Sequence, residues 1–310
     1  MDAPSTLKPA EVALAMVNHG IAKHAERWDR TFFKAVLAGV MLSFGGLLSE
    51  VVGGGSAGLT ASNPGLVKAL SGFVFPVGLV MIVLQGHELV TSNMMVFPMA
   101  FLKRAVPWWG LPLNWIIVFF GNLVGSLFFG AILVKYSGIF EADPYHAYAQ
   151  TFALKKAADP EWHQIFLRGI GCNWLVCVAV WQAAGARDTI SKIFAIWIPI
   201  WVFVACSFDH VVANMFAVPL GIMLGADMSV TEYIRKSLFA AFFGNILGAL
   251  IVGLPAVYFW LDDYKVDGLR DVEQGEAMND VEMINSHSRA SGSSAAVVVE
   301  HHSDLSTRKH

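Results

Sequence analysis

The sequence predicts an all-α membrane protein with six transmembrane helices, built as two inverted three-helix repeats in which the second and fifth helices are broken. Three observations support this fold. Hydrophobic residues make up 55% of the 310-residue chain and charged residues only 15%, a balance typical of membrane proteins. Apolar runs of spanning length recur along the chain, and two patterns from its first half return in its second half.

Six apolar runs are long enough to cross the hydrocarbon core of a bilayer, which takes about 20 helical residues. They cover residues 32–52, 66–84, 111–134, 165–181, 190–208 and 238–261. The first run starts too far from the N-terminus, and is too long and too Gly-rich, for a cleaved secretion signal. We therefore expect a six-span transport domain over residues 32–262.

The segments that flank the spans differ from them in composition. Residues 9–28 carry apolar side chains at helical spacing, which predicts an amphipathic N-terminal helix at the membrane surface, within residues 1–31. Residues 268–310 are acidic and then Ser/His-rich, which predicts a disordered cytoplasmic tail. The Lys and Arg of the loops favour cytoplasmic N- and C-termini by a small margin. The positive charge left outside suits a mouth that collects anions, and the net charge of −3 does not suggest a nucleic-acid partner.

Two patterns repeat at nearly the same offset. "ELVTSNMMVFP" from residue 88 matches "DHVVANMFAVP" from residue 209, an offset of 209 − 88 = 121, and "FFGNLVGSLFFG" from 119 matches "FFGNILGALIVG" from 242, an offset of 242 − 119 = 123. We infer a duplicated three-span unit, with repeat one at about 32–135 and repeat two at about 163–261. Three spans are an odd number, so the second copy is inverted, as in many transporters.

Polar residues interrupt spans two and five at equivalent places, 88–93 and 209–214. Irregular backbone at membrane depth persists only where protein buries it or where it lines a cavity. We therefore predict a helix–loop–helix break at each place, with half-helix N-termini directed at the centre. Thr91, Ser92 and Asn93 are expected to cap the freed backbone and to line a pore.

One ionisable side chain is the leading candidate for function. His210 lies within a span, where such groups usually serve function, and its imidazole is suited to hold or hand on a proton. Thr91 either lines the pore or only caps backbone. Asn173 and Asn214 are candidate pore-lining residues. His87 has no partner in the repeat and is interpreted as local packing.

Other polar residues of the spans are expected to hold the loops in shape. Glu88 and Asp209 could carry protons, but buried carboxylates more often accept backbone N–H groups, so we predict structural anchors. Asn93, Asn122 and Asn245 are predicted to brace the loops. The three cysteines lie in apolar runs and are expected to pack, and neither a metal site nor another cofactor is predicted.

These motifs resemble the formate/nitrite transporter family. The resemblance covers about residues 32–260 and includes "GHELVTSNMM", "GCNWLVCVAVW", "FDHVVANMFAVP" and both "FFGN" elements. It implies an aquaporin-like fold and a homopentamer in which each protomer has its own pore for a small monovalent anion. It also implies that Thr91 faces a buried His210, and that an outer vestibule carries Lys156 or Lys155. The implied apolar constrictions comprise Phe75, Leu79, Leu89, Val176 and Phe203, together with Val90, where many relatives carry Phe.

The sequence hypothesis for function is transport of a weak-acid anion across the plasma membrane. Lys155 or Lys156 and Arg168 would draw the anion in, and it would take a proton near His210 and cross the constriction as the neutral acid. The resemblance is closest to a eukaryotic, fungal-type nitrite transporter, so nitrite is the predicted substrate and formate or another short monocarboxylate the alternative. A neutral-solute channel and a membrane haem protein with His87 and His210 as ligands are remoter alternatives. No enzyme constellation is evident.

Overall fold

The computed structural model describes residues 6–262, and these residues are almost entirely helical. The helices in chain order are α1 (Pro9–Ala25), α2 (Trp28–Gly54), α3 (Ala57–Ser62), α4 (Pro64–Val74), α5 (Val77–Gln85), α6 (Val90–Leu102), α7 (Gly110–Phe128), α8 (Tyr145–Ala157), α9 (Trp162–Gly185), α10 (Thr189–Ala205), α11 (Val211–Met223), α12 (Val230–Glu232) and α13 (Phe239–Leu261). π-Helical segments, Phe129–Lys135 and Tyr233–Leu238, extend α7 and precede α13.

Five helical segments are long and apolar enough to cross a membrane, and they correspond to predicted runs one, two, three, four and six. The five are Trp28–Gly54, Pro64–Gln85, Gly110–Lys135, Trp162–Gly185 and Val230–Leu261. The fifth predicted run forms α10, which has 17 residues and continues, after a break, into α11. The second run is itself divided into α4 and α5 at Phe75 and Pro76, where proline cannot donate a backbone hydrogen bond.

The two breaks are shorter than the sequence suggested and end earlier. They comprise residues 86–89 and 206–210, so Asn93 and Asn214 lie in the first turns of α6 and α11 rather than in the loops. Both preceding helices end in the same left-handed turn. Gly86 has φ +70° and Ser207 has φ +63°, and the following amides bond back to Ile82 and Phe203 carbonyls, which satisfies the free carbonyls of a helix end.

The N-terminal helix forms as α1, but protein covers its apolar face. Val12, Ala13, Met16 and Val17 are at most 3% exposed, and α1 packs on α6, α9 and α13. Neighbouring helices therefore cover the apolar side chains that lipid would cover in an isolated surface helix. The position of α1 at the membrane surface remains a prediction. The predicted tail, 268–310, lies outside the described residues.

The structure extends the repeat beyond the two matches visible in the sequence. α7 approaches α2 so closely that a Cβ on Gly125 would lie 2.0 Å from the Val36 carbonyl oxygen. α13 approaches α9 in the same way, and a Cβ on Gly248 would lie 2.3 Å from the Ile170 carbonyl oxygen. The first and fourth spans thus correspond at an offset of 170 − 36 = 134. Only glycine permits this contact between helices.

Candidate functional site

A cavity of about 460 Å³ opens between α2, α4, α8 and the break before α11. We call it the vestibule. Besides His210, the ionisable residues of its lining are Glu50, Lys68, Tyr148, Lys155, Lys156 and Arg168. The predicted vestibule residues Lys155, Lys156 and Arg168 are therefore brought together, and Lys68 joins them from α4. A pocket with four cationic side chains attracts anions.

Two phenylalanine rings lie at the inner end of the vestibule, next to His210. The ring of Phe75 meets that of Phe203 edge to face at 5.7 Å, and Phe203 stacks beside the imidazole of His210 at 6.0 Å. Both phenylalanines are at most 5% exposed. All three residues border the same cavity as the cationic side chains. The assignment of Phe75 and Phe203 to an apolar constriction remains a prediction.

The imidazole of His210 is held by hydrogen bonds at both ring nitrogens. His210 is the N-cap residue of α11, and its Nδ1 accepts the backbone N–H of Ala213 at 3.1 Å. Its Nε2 lies 2.9 Å from Thr91 Oγ1. Because Nδ1 accepts, the neutral ring carries its hydrogen on Nε2 and donates it to the threonine hydroxyl. Protonation of Nδ1 would break the helix cap.

Asn173 supports Thr91 from α9. Its Nδ2 donates to the Thr91 carbonyl at 3.1 Å and to the Asn245 carbonyl at 2.8 Å, so its amino group holds backbone in place. Its Oδ1 has no hydrogen-bond partner within the described part of the chain. Asn214 borders the vestibule and donates to Asp209 Oδ1 at 3.4 Å. Of the two asparagines predicted to line the pore, Asn214 therefore reaches the cavity.

The first break is held by side chains from α1 and α7 and from α6, the helix that follows it. Lys23 of α1 forms an ion pair with Glu88, whose carboxylate also accepts Asn93 Nδ2 at 2.7 Å. Asn93 in turn donates to Asn114 of α7 at 2.8 Å. Asn122, also on α7, donates to the Glu88 carbonyl at 2.8 Å and accepts the Val90 N–H at 3.0 Å.

The second break repeats this arrangement on the vestibule side. Lys156 of α8 pairs with Asp209 at 3.1 Å and donates to the carbonyls of Phe208, at 2.9 Å, and Ser207, at 3.3 Å. Asn245 donates to the Asp209 carbonyl and accepts the Val211 N–H, both at 2.9 Å. Lys156 is held by the loop, and Lys155 is the more exposed of these two adjacent lysines.

Two details of the sequence interpretation are wrong. Glu88 and Asp209 were expected to accept backbone N–H groups, but in the structure lysine and asparagine side chains bond their carboxylates. Thr91, Ser92 and Asn93 were expected to cap the freed backbone; Ser92 does donate to the Leu89 carbonyl, but Asn122 rather than Thr91 or Asn93 bonds the first amide of α6. Lys23, Lys156 and Asn122 come from helices distant in sequence, so local spacing could not identify them, whereas Asn93 and Asn214 lie five residues after the acids that they bond.

The remaining constriction candidates are buried away from the vestibule. Leu79, Leu89, Val90 and Val176 are at most 2% exposed and do not border this cavity in the described structure. Their assignment to a second, inner constriction remains a prediction.

Sequence reasoning missed three residues around the site. Lys23 was assigned to a surface helix, and no local signal links it to Glu88. Tyr148 lies in α8, a helix in the segment that connects the third and fourth spans. Glu50 borders the vestibule at 2% exposure, and it had a clear signal, because it is an acid inside a predicted apolar run.

Comparison with known proteins gives a consistent picture. The formate/nitrite transporter family model matches residues 10–260. The chain is 40% identical to a probable formate transporter of Methanothermobacter thermautotrophicus, with 81% of this chain and 95% of the relative covered, and 31% identical to the formate channel FocA of Escherichia coli, with 82% and 94% covered. It is also similar to a solved pentameric formate channel with formate bound, at 28% identity and a TM-score of 0.67 over 77% of this chain and 98% of that one.

Proposed function

We propose that this chain, which belongs to the formate/nitrite transporter family of membrane channels and transporters, carries a small monovalent weak-acid anion across a membrane together with a proton. The family consists of transport proteins rather than enzymes. The observation that carries the proposal is the Thr91–His210 hydrogen bond, because the His210 imidazole stacks beside Phe203 in the lining of a cavity that also carries four cationic side chains.

The cationic vestibule attracts the substrate anion. Lys68, Lys155 and Arg168 border it, while Lys156 is engaged with Asp209 and the loop carbonyls. A concave site with like charges on its walls raises the local concentration of the opposite charge. An anion is therefore enriched before it meets the phenylalanines.

The constriction selects for the neutral form of the substrate. Moving an unpaired charge into apolar surroundings is expensive, and a weak acid responds by taking a proton. The rings of Phe75 and Phe203 offer no hydrogen bond to a carboxylate. A formic or nitrous acid molecule passes them at a much lower cost than its anion.

His210 acts in this scheme as a neutral hydrogen-bond donor. Its Nε2–H polarises the Thr91 hydroxyl, which can then donate to the substrate oxygen. His210 cannot give up a net proton while Nδ1 accepts from Ala213, because the product would be an imidazolate. This argues against the hypothesis that His210 hands on the proton, and it favours a proton source elsewhere, which we propose to lie on the vestibule side.

Formate and nitrite remain the candidate substrates. Relatives from M. thermautotrophicus and E. coli carry formate in their names, which supports formate at least as well as the nitrite predicted from sequence. A pentameric neighbour supports a homopentamer here. We further propose that the protein resides in the plasma membrane with the vestibule outside and both termini cytoplasmic.

The decisive experiment measures formate and proton fluxes in liposomes that contain the purified protein. We expect uptake of one proton with each formate, competition by nitrite, and faster uptake as the external solution is acidified. Anion movement as a current, without proton uptake, would contradict the coupling. Swelling in glycerol without formate uptake would favour a neutral-solute channel instead, and a haem absorbance band would revive the redox alternative.

A further inference from the structure

Glu50 is a buried acid for which the scheme above has no role. It lies near the C-terminal end of α2, is 2% exposed and borders the vestibule. Neither of its carboxyl oxygens has a hydrogen-bond partner among the described residues. Buried polar groups in folded proteins nearly always form hydrogen bonds. A buried acid that has no hydrogen-bond partner and borders a cavity is therefore a candidate site for a ligand or a proton.

The packing of α2 explains why Glu50 faces the vestibule. Gly46 and Gly53 lie one turn before and one turn after it, on the same side of the helix. A Cβ on Gly46 would lie 2.8 Å from the ring of Phe216, and one on Gly53 would lie 2.1 Å from the hydroxyl oxygen of Tyr148. The two glycines let α11 and α8 close in on this face, with the carboxyl between them.

The surroundings of Glu50 favour a carboxyl that can hold a proton. No ion pair in the described structure includes it, and the negative end of the α2 dipole lies nearby. An unpaired carboxylate is costly at such burial, whereas the neutral acid is not. Burial raises the pKa of the Tyr148 hydroxyl to about 12, with a further contribution from a negative charge on Glu50 whenever that carboxyl is ionised, so Tyr148 remains a neutral phenol.

Several titratable groups share this cavity with Glu50. They are Lys68 from α4, Tyr148, Lys155 and Lys156 from α8, Arg168 from α9 and His210 before α11. The other elements packed on α2, namely α3, α5, α7 and the π-helical segment after α7, place no titratable side chain in the vestibule lining. Glu50 is therefore the one carboxyl in this lining, in a cavity whose other charged groups attract anions.

We propose that Glu50 is the proton-donating site of the vestibule, where a weak-acid anion is bound by a carboxyl–carboxylate hydrogen bond and protonated before it enters the constriction. The Glu50 O–H bond breaks and leaves its electron pair on the carboxylate, while a new O–H bond forms on the substrate oxygen. Glu50 then takes its next proton from vestibule water. This inference rests on the proposed function and supplies the donor that His210 cannot be.

The test compares Glu50→Gln with Glu50→Asp and with Glu141→Gln, which removes an exposed acid from the loop before α8. In the liposome assay we expect Glu50→Gln to lower proton-coupled formate uptake roughly tenfold and to flatten its pH dependence. The loss is smaller than the ~100-fold of a typical general acid, because solution protons remain available. Glu50→Asp should keep the pH dependence at a reduced rate, and Glu141→Gln should match the wild type.

A second measurement does not depend on activity. Infrared difference spectra should contain a protonated-carboxyl band that responds to added formate in the wild type, moves in Glu50→Asp and is absent in Glu50→Gln. If Glu50→Gln does not assemble, the wild type and Glu50→Asp still decide the question by the position of this band. Two outcomes would overturn the role of Glu50 alone. One is a Glu50→Gln variant whose formate uptake has the same pH dependence as that of a proton-coupled wild type, and the other is an infrared band that neither substitution changes. A wild type that moves formate without protons overturns the proposed function as well.

Discussion

The break between α5 and α6 and the break between α10 and α11 have the same frame, but they differ at the position directly after the acid. In both, a lysine from a helix that precedes the repeat pairs with the acid of the loop, and an asparagine from the third span of the repeat bonds the loop carbonyl and the first amide of the next helix. After the acid, however, the first break carries Leu89 and the second carries His210.

This difference separates structural roles from functional ones. Features that both copies share, such as Asn122 and Asn245, meet a need of any broken helix, namely partners for freed backbone groups. Features present in only one copy are not needed to hold a broken helix in place, so they are candidates for a role in transport. His210 is one such feature. Glu50 is another, since its counterpart at the offset of 134 is Ala184.

The largest effect is expected from breaking the buried ion pairs. Lys156→Met leaves Asp209, whose side chain is fully buried, without its cation, and should lower the free energy of unfolding by about 3–5 kcal/mol. Lys23→Met should cost less, because the Lys23 side chain is 23% exposed against 15% for Lys156. Thermal unfolding in detergent measures both variants.

Two variants control this comparison. Lys155→Met removes an exposed vestibule lysine and should leave stability unchanged, while Lys156→Met combined with Asp209→Asn should regain most of the loss. Equal losses for Lys155→Met and Lys156→Met would show that the pair does not stabilise the break.

The asparagine braces test whether the duplicated frame is equally important in both copies. Asn122→Ala and Asn245→Ala each remove three hydrogen bonds of 2.8–3.0 Å. At about 1 kcal/mol for each bond, both variants should lose roughly 3 kcal/mol, measured by the same unfolding assay. A loss confined to one of the two would contradict their equivalence.

Substitution of His210 sharpens the functional side of the comparison. His210→Leu, which makes the second break apolar like the first, should reduce formate transport at least roughly tenfold, an increase of about 1.4 kcal/mol in the barrier. His210→Asn keeps a good helix cap and a side-chain donor, so it should retain most transport and its pH dependence. If His210→Asn transports formate but loses proton coupling, the imidazole itself carries the proton.

The smallest effect concerns the turn that ends α5 and α10. Ser207 holds φ +63° where the equivalent Gly86 holds +70°, and L-residues other than glycine pay roughly 1 kcal/mol in this region. Ser207→Gly should therefore raise the free energy of unfolding by up to about 1 kcal/mol, and Gly86→Ser should lower it by a similar amount. A Cβ at Gly86 meets no other group within 4 Å, so a larger loss in calorimetry would point to a cause other than backbone strain.

By itself, the sequence determined the membrane class, the apolar runs, the duplication and the two polar interruptions, because length, hydropathy and repeated spacing are local properties. It also identified His210 and Thr91 as the central pair, through a family resemblance. Only the tertiary structure decided that α1 is buried by protein, that Lys23 and Lys156 occupy equivalent places, that Asn122 and Asn245 replace local caps, and that Glu50 borders the vestibule. Each of these depends on contacts between residues tens of positions apart, since a hydrogen bond or an ion pair is decided by distance in space, which spacing along the chain does not encode.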